Sequence, residues 1–222
     1  MNKFDIRIIF LFFFTLDVLS ENIGQPGELF PIKVNKGIFT SSNGLIKIDN
    51  SYYKLVPLSF SKQGQYVMFE DTKIFIQNKD FGESRITITN NALVNLSDED
   101  KDRTIRESKI INKALQTYSK KMKPTFSFIS PVDGIISSRY GKKRFINNSP
   151  RSPHLALDIA APEGTKVLSP EDGKVILIGN FFYSGNYLII DHGQGLLSSY
   201  SHLSSISVSE DDILEQGQEI GK

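Results

Sequence analysis

The chain has 222 residues, 39% of them hydrophobic, and its 26 Lys and Arg residues nearly balance its 25 Asp and Glu residues, which gives a formal net charge of +1. This length supports one or two globular domains with real cores, and the dispersed cations form no basic stripe of the kind that binds nucleic acid. The chain has no cysteine, which excludes disulfides, thiolate metal sites and a cysteine nucleophile.

The N-terminus predicts export. Lys3 and Arg7 precede an apolar run over residues 8–16, which ends near the small residue Ser20. This pattern is typical of a secretory signal peptide, here residues 1–20, with cleavage before Glu21. An uncleaved membrane anchor is the alternative, although the run is shorter than the roughly 20 residues of a membrane span. No later segment is apolar enough to span a bilayer, so we expect a protein of the periplasm or cell envelope.

Residues 21–96 predict an N-terminal β domain. Apolar and polar residues alternate over residues 45–48, 73–77 and 85–89, and Asn, Gly, Ser and Pro clusters separate these runs. Short strands at this spacing favour a small β-sandwich. The region has no histidine, and its scattered acids do not indicate catalysis.

Residues 97–123 predict a helical linker. Ser97 is a suitable N-cap before three acidic residues, and three lysines between 120 and 123 precede Pro124. One apolar stripe runs along this helix, through Ile111, Leu115, Tyr118 and Met122. The stripe favours a connector that packs against a neighbouring domain over a helix that binds a partner.

His154 and Asp158 are the first candidate site residues. An acid follows a given His at this spacing about one time in nine by chance, so the pair alone is a weak motif. Pro153 and Pro162 make a helix between them unfavourable. In an extended strand the two side chains would stand about 13 Å apart, too far to share one ion. A metal site therefore requires a bend near Leu155 and Ala156, and the alternative is a surface His beside an exposed Asp.

Two further features favour structural roles. His192 follows an apolar run and precedes Gly193, in a segment rich in turn residues, which favours a structural histidine. The glycines at 217 and 221 are interpreted as turn residues, because no helix pattern follows them as a phosphate-binding loop would require.

Short motifs recur in a fixed order over the last hundred residues. They are SPVDG at 130–134, SSRYG at 137–141, HLALD at 154–158, APEGT at 161–165, DGKV at 172–175, GNYLIIDHG at 185–193, YSHLS at 200–204 and GQEIG at 217–221. In this order and spacing the chain from Phe128 onward resembles the lysostaphin-like zinc endopeptidases, which cut peptide cross-links in bacterial peptidoglycan.

The resemblance implies a mostly β protein, with a β-sheet-rich peptidase domain over residues 126–222 behind the N-terminal sandwich and the linking helix. It implies that His154 and Asp158 are zinc ligands and that His202 is a catalytic group. Peptidoglycan peptide cross-links are the implied partner, and the resemblance does not fix the oligomeric state.

The chain departs from the family pattern in two ways. Ala156 stands where the family often has Gly, which bends more easily. The family's H-x-H strand, which supplies the third zinc ligand, has no counterpart among His154, His192 and His202, so the domain is expected to be incomplete and C-terminally truncated.

Two alternatives belong to other functional classes. A peptidase-like module without activity would bind cell wall or activate another hydrolase. A biotinyl- or lipoyl-type carrier would need a modifiable lysine at a hairpin tip, for which Lys174 is the candidate. Without an H-E-x-x-H motif there is no Glu general base of the usual metalloprotease kind, and His202 is the better candidate for moving protons.

Overall fold

The computed structural model describes residues 22–34, 45–48, 50–89 and 96–222. The predicted signal peptide lies outside these residues and stays a prediction. Among the described residues, no helix combines the length and the apolarity needed to cross a membrane. The chain is mostly β, as its sequence predicts.

The described residues of the N-terminal region contain seven strands and a short 3-10 helix at Phe60–Lys62. The strands are β1 (Asn22–Gly24), β2 (Leu29–Val34), β3 (Leu45–Ile48), β4 (Ser51–Pro57), β5 (Tyr66–Phe69), β6 (Thr72–Ile76) and β7 (Glu83–Ile86). Six of them make two three-stranded sheets, in the orders β1-β6-β5 and β2-β4-β3. Val56 and Leu58 pack against Ile74 and Ile76 in one buried cluster. The two sheets thus share a core, and the predicted sandwich is confirmed.

The single described α-helix, α1, spans Asp98–Ala114. The Ser97 hydroxyl accepts the N–H of Asp100 at 3.1 Å, which confirms the predicted N-cap. The predicted end is wrong, because the helix stops at Ala114 instead of continuing to residue 123.

Tertiary hydrogen bonds explain why the helix stops early. Beyond it, the Ser119 hydroxyl donates to the Asp191 carboxylate, and the N–H of Gln194 donates to the Ser119 carbonyl at 2.9 Å. The N–H of Thr125 donates to the buried carboxylate of Glu171. These contacts hold residues 115–125 along the C-terminal sheet, so the three lysines at 120–123 lie in coil and not in a last helical turn.

Ten strands form the C-terminal region. They are β8 (Ile135–Ser138), β9 (Lys143–Ile146), β10 (Ser149–Arg151), β11 (Asp158–Ala160), β12 (Val167–Leu168), β13 (Gly173–Phe181), β14 (Gly185–Gly193), β15 (Leu196–Leu203), β16 (Ile213–Leu214) and β17 (Glu219–Gly221). The largest sheet is antiparallel, in the order β15-β14-β13-β16.

The central strand β14 is buried on both faces. Leu188 and Ile190 face a core shared with Val175, Leu214 and Ile220. On the opposite face, Tyr187 and Ile189 join Leu177 and Phe181, against which Ile111 and Ala114 of α1 pack. The continuous apolar run of this strand follows from its two covered faces.

The N-terminal and C-terminal regions share a sheet. Strand β7 pairs in parallel with β9, and β9 pairs with β10, so a strand from the predicted sandwich joins a hairpin of the predicted peptidase domain. Beside it, the Tyr140 ring makes edge-on contacts with Phe60 and Phe81, each at 5.9 Å between centroids. The division of the chain into domains remains a prediction, but these contacts join the two regions closely.

Candidate functional site

The chain bends between His154 and Asp158, as a shared site requires. The bend lies at Ala156, two residues before the start of β11. It brings Nε2 of His154 to 2.9 Å from Oδ1 of Asp158, whereas an extended strand would separate the two residues by about 13 Å. Ala156 is not among the residues with positive φ. Alanine therefore forms this bend without the left-handed conformation that would favour glycine.

The backbone around Tyr140 fixes the position of His154. The N–H of His154 donates to the Lys142 carbonyl at 2.9 Å, and its own carbonyl accepts the N–H of Gly141 at 2.6 Å. The imidazole is buried, and its Nδ1 lies 3.3 Å from both the Ser138 hydroxyl and the Arg139 carbonyl. An Nδ1–H that donates to this carbonyl leaves the lone pair of Nε2 directed towards Asp158, the arrangement that metal-binding histidines use.

The geometry of the pair fits two ligands of one cation. Two ligands held at about 2.0–2.1 Å around a tetrahedral zinc stand about 3.3 Å apart, close to the observed 2.9 Å between Nε2 and Oδ1. With the proton on Nδ1, Nε2 and Oδ1 are both acceptors, and a cation between them would satisfy both. Among residues 22–34, 45–48, 50–89 and 96–222, however, no group of three His, Cys, Asp or Glu side chains could hold a metal.

His202 lies at an irregularity near the end of β15. Tyr200 pairs with Leu188 and Leu203 pairs with Asn186, so β15 contains one extra residue at this point, which is a β-bulge. His202 has φ of 60° and donates its N–H to the Ser184 carbonyl at 2.8 Å. Its side chain is exposed. Bulges and left-handed non-glycine residues are both enriched beside functional sites.

His192 has a structural environment. It lies within β14 and not at the hairpin tip, and it is 2% exposed. Its Nδ1 lies 2.8 Å from the Asp172 carbonyl and its Nε2 lies 2.7 Å from the Ser198 hydroxyl, while the Phe128 ring contacts it edge-on. Both ring nitrogens are therefore occupied by protein groups.

The carrier alternative finds no support at Lys174. This residue lies in β13 and not at a hairpin tip, and its Nζ is 2.7 Å from the Asp211 carboxylate. The Gly217 segment is a turn, with φ of 84° at the glycine, and the short strand β17 follows it instead of a helix.

The sequence alone predicts no separate role for the Ser137–Gly141 motif. In the structure, the backbone of this motif contacts His154 through the Arg139 carbonyl and the Gly141 N–H. Gly141 has φ of 89°, and a Cβ there would lie 2.4 Å from the Phe81 ring. In the sequence, Gly141 directly after the bulky Tyr140 indicates a tight turn. Only the tertiary structure shows that this turn supports His154.

Comparisons with known proteins agree on the C-terminal region. Residues 152–222 match the family model of Peptidase family M23. A crystal structure from Pseudomonas aeruginosa assigned to peptidase M23 is 25% identical, with a TM-score of 0.66, and the match covers 88% of this chain and 81% of that one. The resemblance to the lysostaphin-like peptidases is thereby confirmed for this region.

Two curated relatives differ in what their names describe. The peptidoglycan DD-endopeptidase ShyA of Vibrio cholerae is 39% identical over 94 residues, which are 41% of this chain and 22% of ShyA. The murein hydrolase activator NlpD of Escherichia coli is 30% identical over 91 residues, which are 40% of this chain and 22% of NlpD. The chain thus matches about a fifth of the length of each.

Proposed function

We propose that the protein is a zinc-dependent endopeptidase that hydrolyses peptide cross-links of bacterial peptidoglycan. The observation that carries this proposal is the bend at Ala156, which brings Nε2 of His154 within 2.9 Å of a carboxylate oxygen of Asp158. The match to Peptidase family M23 and the similarity to a peptidoglycan endopeptidase support the substrate class.

His154 and Asp158 would hold the zinc ion. A bound zinc would supply Lewis-acid polarisation of the scissile carbonyl and would lower the pKa of water. The protein positions the imidazole through the Arg139 and Lys142 carbonyls, so that Nε2 and not Nδ1 is presented to the ion. Asp158 supplies a negative charge from a half-exposed position, where substrate has access.

His202 is proposed as the group that moves protons. An imidazole can both accept and donate a proton, which suits a general acid or base. The bulge and the left-handed backbone of His202 support this role, because such distortion is retained where it directs a side chain.

A third protein ligand is needed to complete a catalytic zinc site of this kind. By its resemblance to the family, we expect this ligand from an H-x-H strand. Within the described residues, β11, which begins at Asp158, and β15, which contains His202, each have a hydrogen-bonded neighbour on one side only, so each offers an edge to such a strand.

Export to the periplasm or cell envelope is part of the proposal. Peptidoglycan lies outside the cytoplasmic membrane, and residues 1–20 have the charge and apolar pattern of a signal peptide. The absence of cysteine from the whole chain is compatible with an oxidising compartment.

Zinc titration by calorimetry tests the ligand assignment. His154→Ala and Asp158→Ala should each abolish zinc binding, because each removes one of only two ligands. His202→Ala and His192→Ala should bind zinc as the unsubstituted chain does. Zinc binding that survives both ligand substitutions would contradict the assignment.

Hydrolysis tests the catalytic role of His202, in a chain that continues through an H-x-H strand. There His202→Ala should retain zinc but lower the turnover of cross-linked peptides by about 10²- to 10⁴-fold, the usual contribution of a general acid or base. His192→Ala is the matched control and should leave turnover within a few-fold of wild type. Loss of zinc in parallel with activity in His202→Ala would show that this residue is a ligand instead.

A non-catalytic activator is the second candidate. It is supported by the similarity to NlpD and by the presence of only two candidate ligands in one group among the described residues. Stimulation of another peptidoglycan hydrolase by the His154→Ala variant, without peptide hydrolysis by any variant, would favour this candidate.

A further inference from the structure

The segment that surrounds the β9–β10 hairpin carries uncompensated positive charge. Residues 134–157 contain no Asp or Glu, whereas they contain five cations, which are Arg139, Lys142, Lys143, Arg144 and Arg151. None of the five side chains makes an ion pair with a described residue. By contrast, the cations and carboxylates of α1 are interspersed.

Two of these arginines share one face of the hairpin. Arg144 and Arg151 are direct partners in the antiparallel ladder, so their side chains lie side by side. On its other side, Arg144 is paired in register with Ser84 of β7. The nearest acid in register, Glu83, is opposite Lys143 on the other face, where Arg85 binds it at 2.9 Å. Neither neighbouring strand therefore supplies a carboxylate to the arginine face.

This arrangement opposes local stability. Like charges directly opposite each other in a ladder repel, and substitution of either arginine by a neutral residue would remove the repulsion. No ion pair with a described residue offsets the repulsion. We therefore expect a ligand, absent from the free protein, to compensate the repulsion between the two arginines.

The arginine face is close in the chain to the proposed zinc ligand. Arg151 ends β10 three residues before His154. The Lys142 carbonyl accepts the N–H of His154 at 2.9 Å, and the Arg139 carbonyl lies 3.3 Å from its Nδ1. A ligand held by the arginines would therefore be bound by a hairpin whose flanking backbone also supports His154.

We infer that the face of β9–β10 that bears Arg144 and Arg151 binds a carboxylate of the peptide substrate and thereby makes the site selective for acidic peptides. The inference rests on the proposed function for the identity of the ligand as a peptide. Arginine offers a planar fork of donors that matches a carboxylate with two hydrogen bonds. The two guanidinium groups lie side by side on a sheet face. This arrangement suits an extended peptide that crosses the strands better than a phosphate, which binds within an enclosed cluster of donors.

Binding of a synthetic peptide to the metal-free chain tests the inference directly. The probe is a fluorescent tetrapeptide with a Glu side chain and a free C-terminus, compared with the same peptide carrying Gln and a C-terminal amide. The acidic peptide should bind at least about tenfold more tightly, as expected for charge-assisted hydrogen bonds. The Arg144→Gln/Arg151→Gln variant should lose this preference and bind both peptides equally weakly.

Arg106→Gln/Lys109→Gln is the matched control. These two residues are exposed cations of α1 without ion pairs to described residues, so the change in net charge is the same. Its affinity should stay within about twofold of wild type, because long-range attraction between exposed charges is screened. Equal weakening in both double variants would overturn the inference, and so would equal binding of the acidic and amidated peptides.

Inorganic phosphate distinguishes the two sources of anionic ligand. Phosphate should compete with the acidic peptide only at much higher concentration, and stronger binding of phosphate than of the peptide would overturn the assignment to a carboxylate.

The binding assay needs neither zinc nor hydrolysis, so a failure of the proposed peptidase activity would leave its result intact. Conversely, an active enzyme whose KM for acidic peptides is unchanged in Arg144→Gln/Arg151→Gln would refute this inference alone.

Discussion

At the residue scale, Tyr200 of the C-terminal sheet combines packing against the core with a hydrogen bond. Tyr200 packs against the core around Val175 and Leu188, and its hydroxyl donates to Ser198 at 3.0 Å. Ser198 in turn contacts His192. Burial raises the pKa of Tyr200 to about 12, while the hydrogen bond to Ser198 lowers it by a smaller amount. The phenol is therefore held in its neutral form.

The raised pKa of Tyr200 predicts a fall in stability at alkaline pH. In the unfolded chain a tyrosine ionises near pH 10, whereas the folded state keeps this proton up to about pH 12. Stability from this group is thus fully present below pH 10 and is lost as the pH rises towards 12. Tyrosinate absorbance should show a component that titrates near pH 12. It should vanish in Tyr200→Phe and persist in Tyr183→Phe, and its persistence in Tyr200→Phe would contradict the assignment.

At the scale of elements, one carboxylate of α1 makes hydrogen bonds that add to the apolar packing of the helix on the sheet. The Glu107 carboxylate accepts hydrogen bonds from the Nε–H of Arg103 and from the backbone N–H of Phe182, each at 2.7 Å. The Glu107 side chain is only 16% exposed. Arg103 also donates to the Asn180 carbonyl at 3.3 Å. The turn between β13 and β14 is therefore fixed to the helix by charge-assisted hydrogen bonds.

Glu107→Ala should destabilise the protein. It removes the acceptor for the Phe182 N–H and the carboxylate partner of Arg103, at a cost of about 1.5–3 kcal/mol in the free energy of unfolding. Asp102→Ala, at an exposed position of the same helix, should change that free energy by no more than about 0.5 kcal/mol. Urea unfolding followed by circular dichroism measures both, and equal effects would show that the attachment has no energetic role.

Across the whole molecule, the aromatic contact of Tyr140 with Phe60 and Phe81 joins the N-terminal sandwich to the turn that supports His154. The parallel pairing of β7 with β9 lies next to it in the chain. The N-terminal region therefore contacts the support of the proposed metal site, although it contains no candidate ligand itself.

Tyr140→Ala should loosen this junction. Loss of the ring should cost about 2–3 kcal/mol, less than for a fully buried aromatic. Hydrogen exchange should rise in β7 and β9 more than in β14, and zinc affinity should fall by about tenfold, the lower end of effects at residues that support a ligand. Tyr140→Phe keeps the ring and should behave like wild type. Unchanged exchange in β9 of Tyr140→Ala would show that the junction does not support the hairpin.

The sequence by itself determined much of the local structure. Alternating apolar residues over residues 45–48 and 73–77 predicted two strands of the sandwich, β3 and β6. Pro153 and Pro162 excluded a helix, so that any shared site required a bend, and the bend is present. These inferences succeeded because they depend on the chemistry of neighbouring residues.

The tertiary structure alone decided the rest. Helix α1 ends at Ala114 because Asp191 and Glu171 bind the following segment, and both acids are far away in the sequence. The burial of His192, the bulge at His202 and the placement of Arg144 beside Arg151 depend on strand register. Register is fixed by which distant strands pair and which faces they bury. The secondary-structure propensity of neighbouring residues does not determine those pairings.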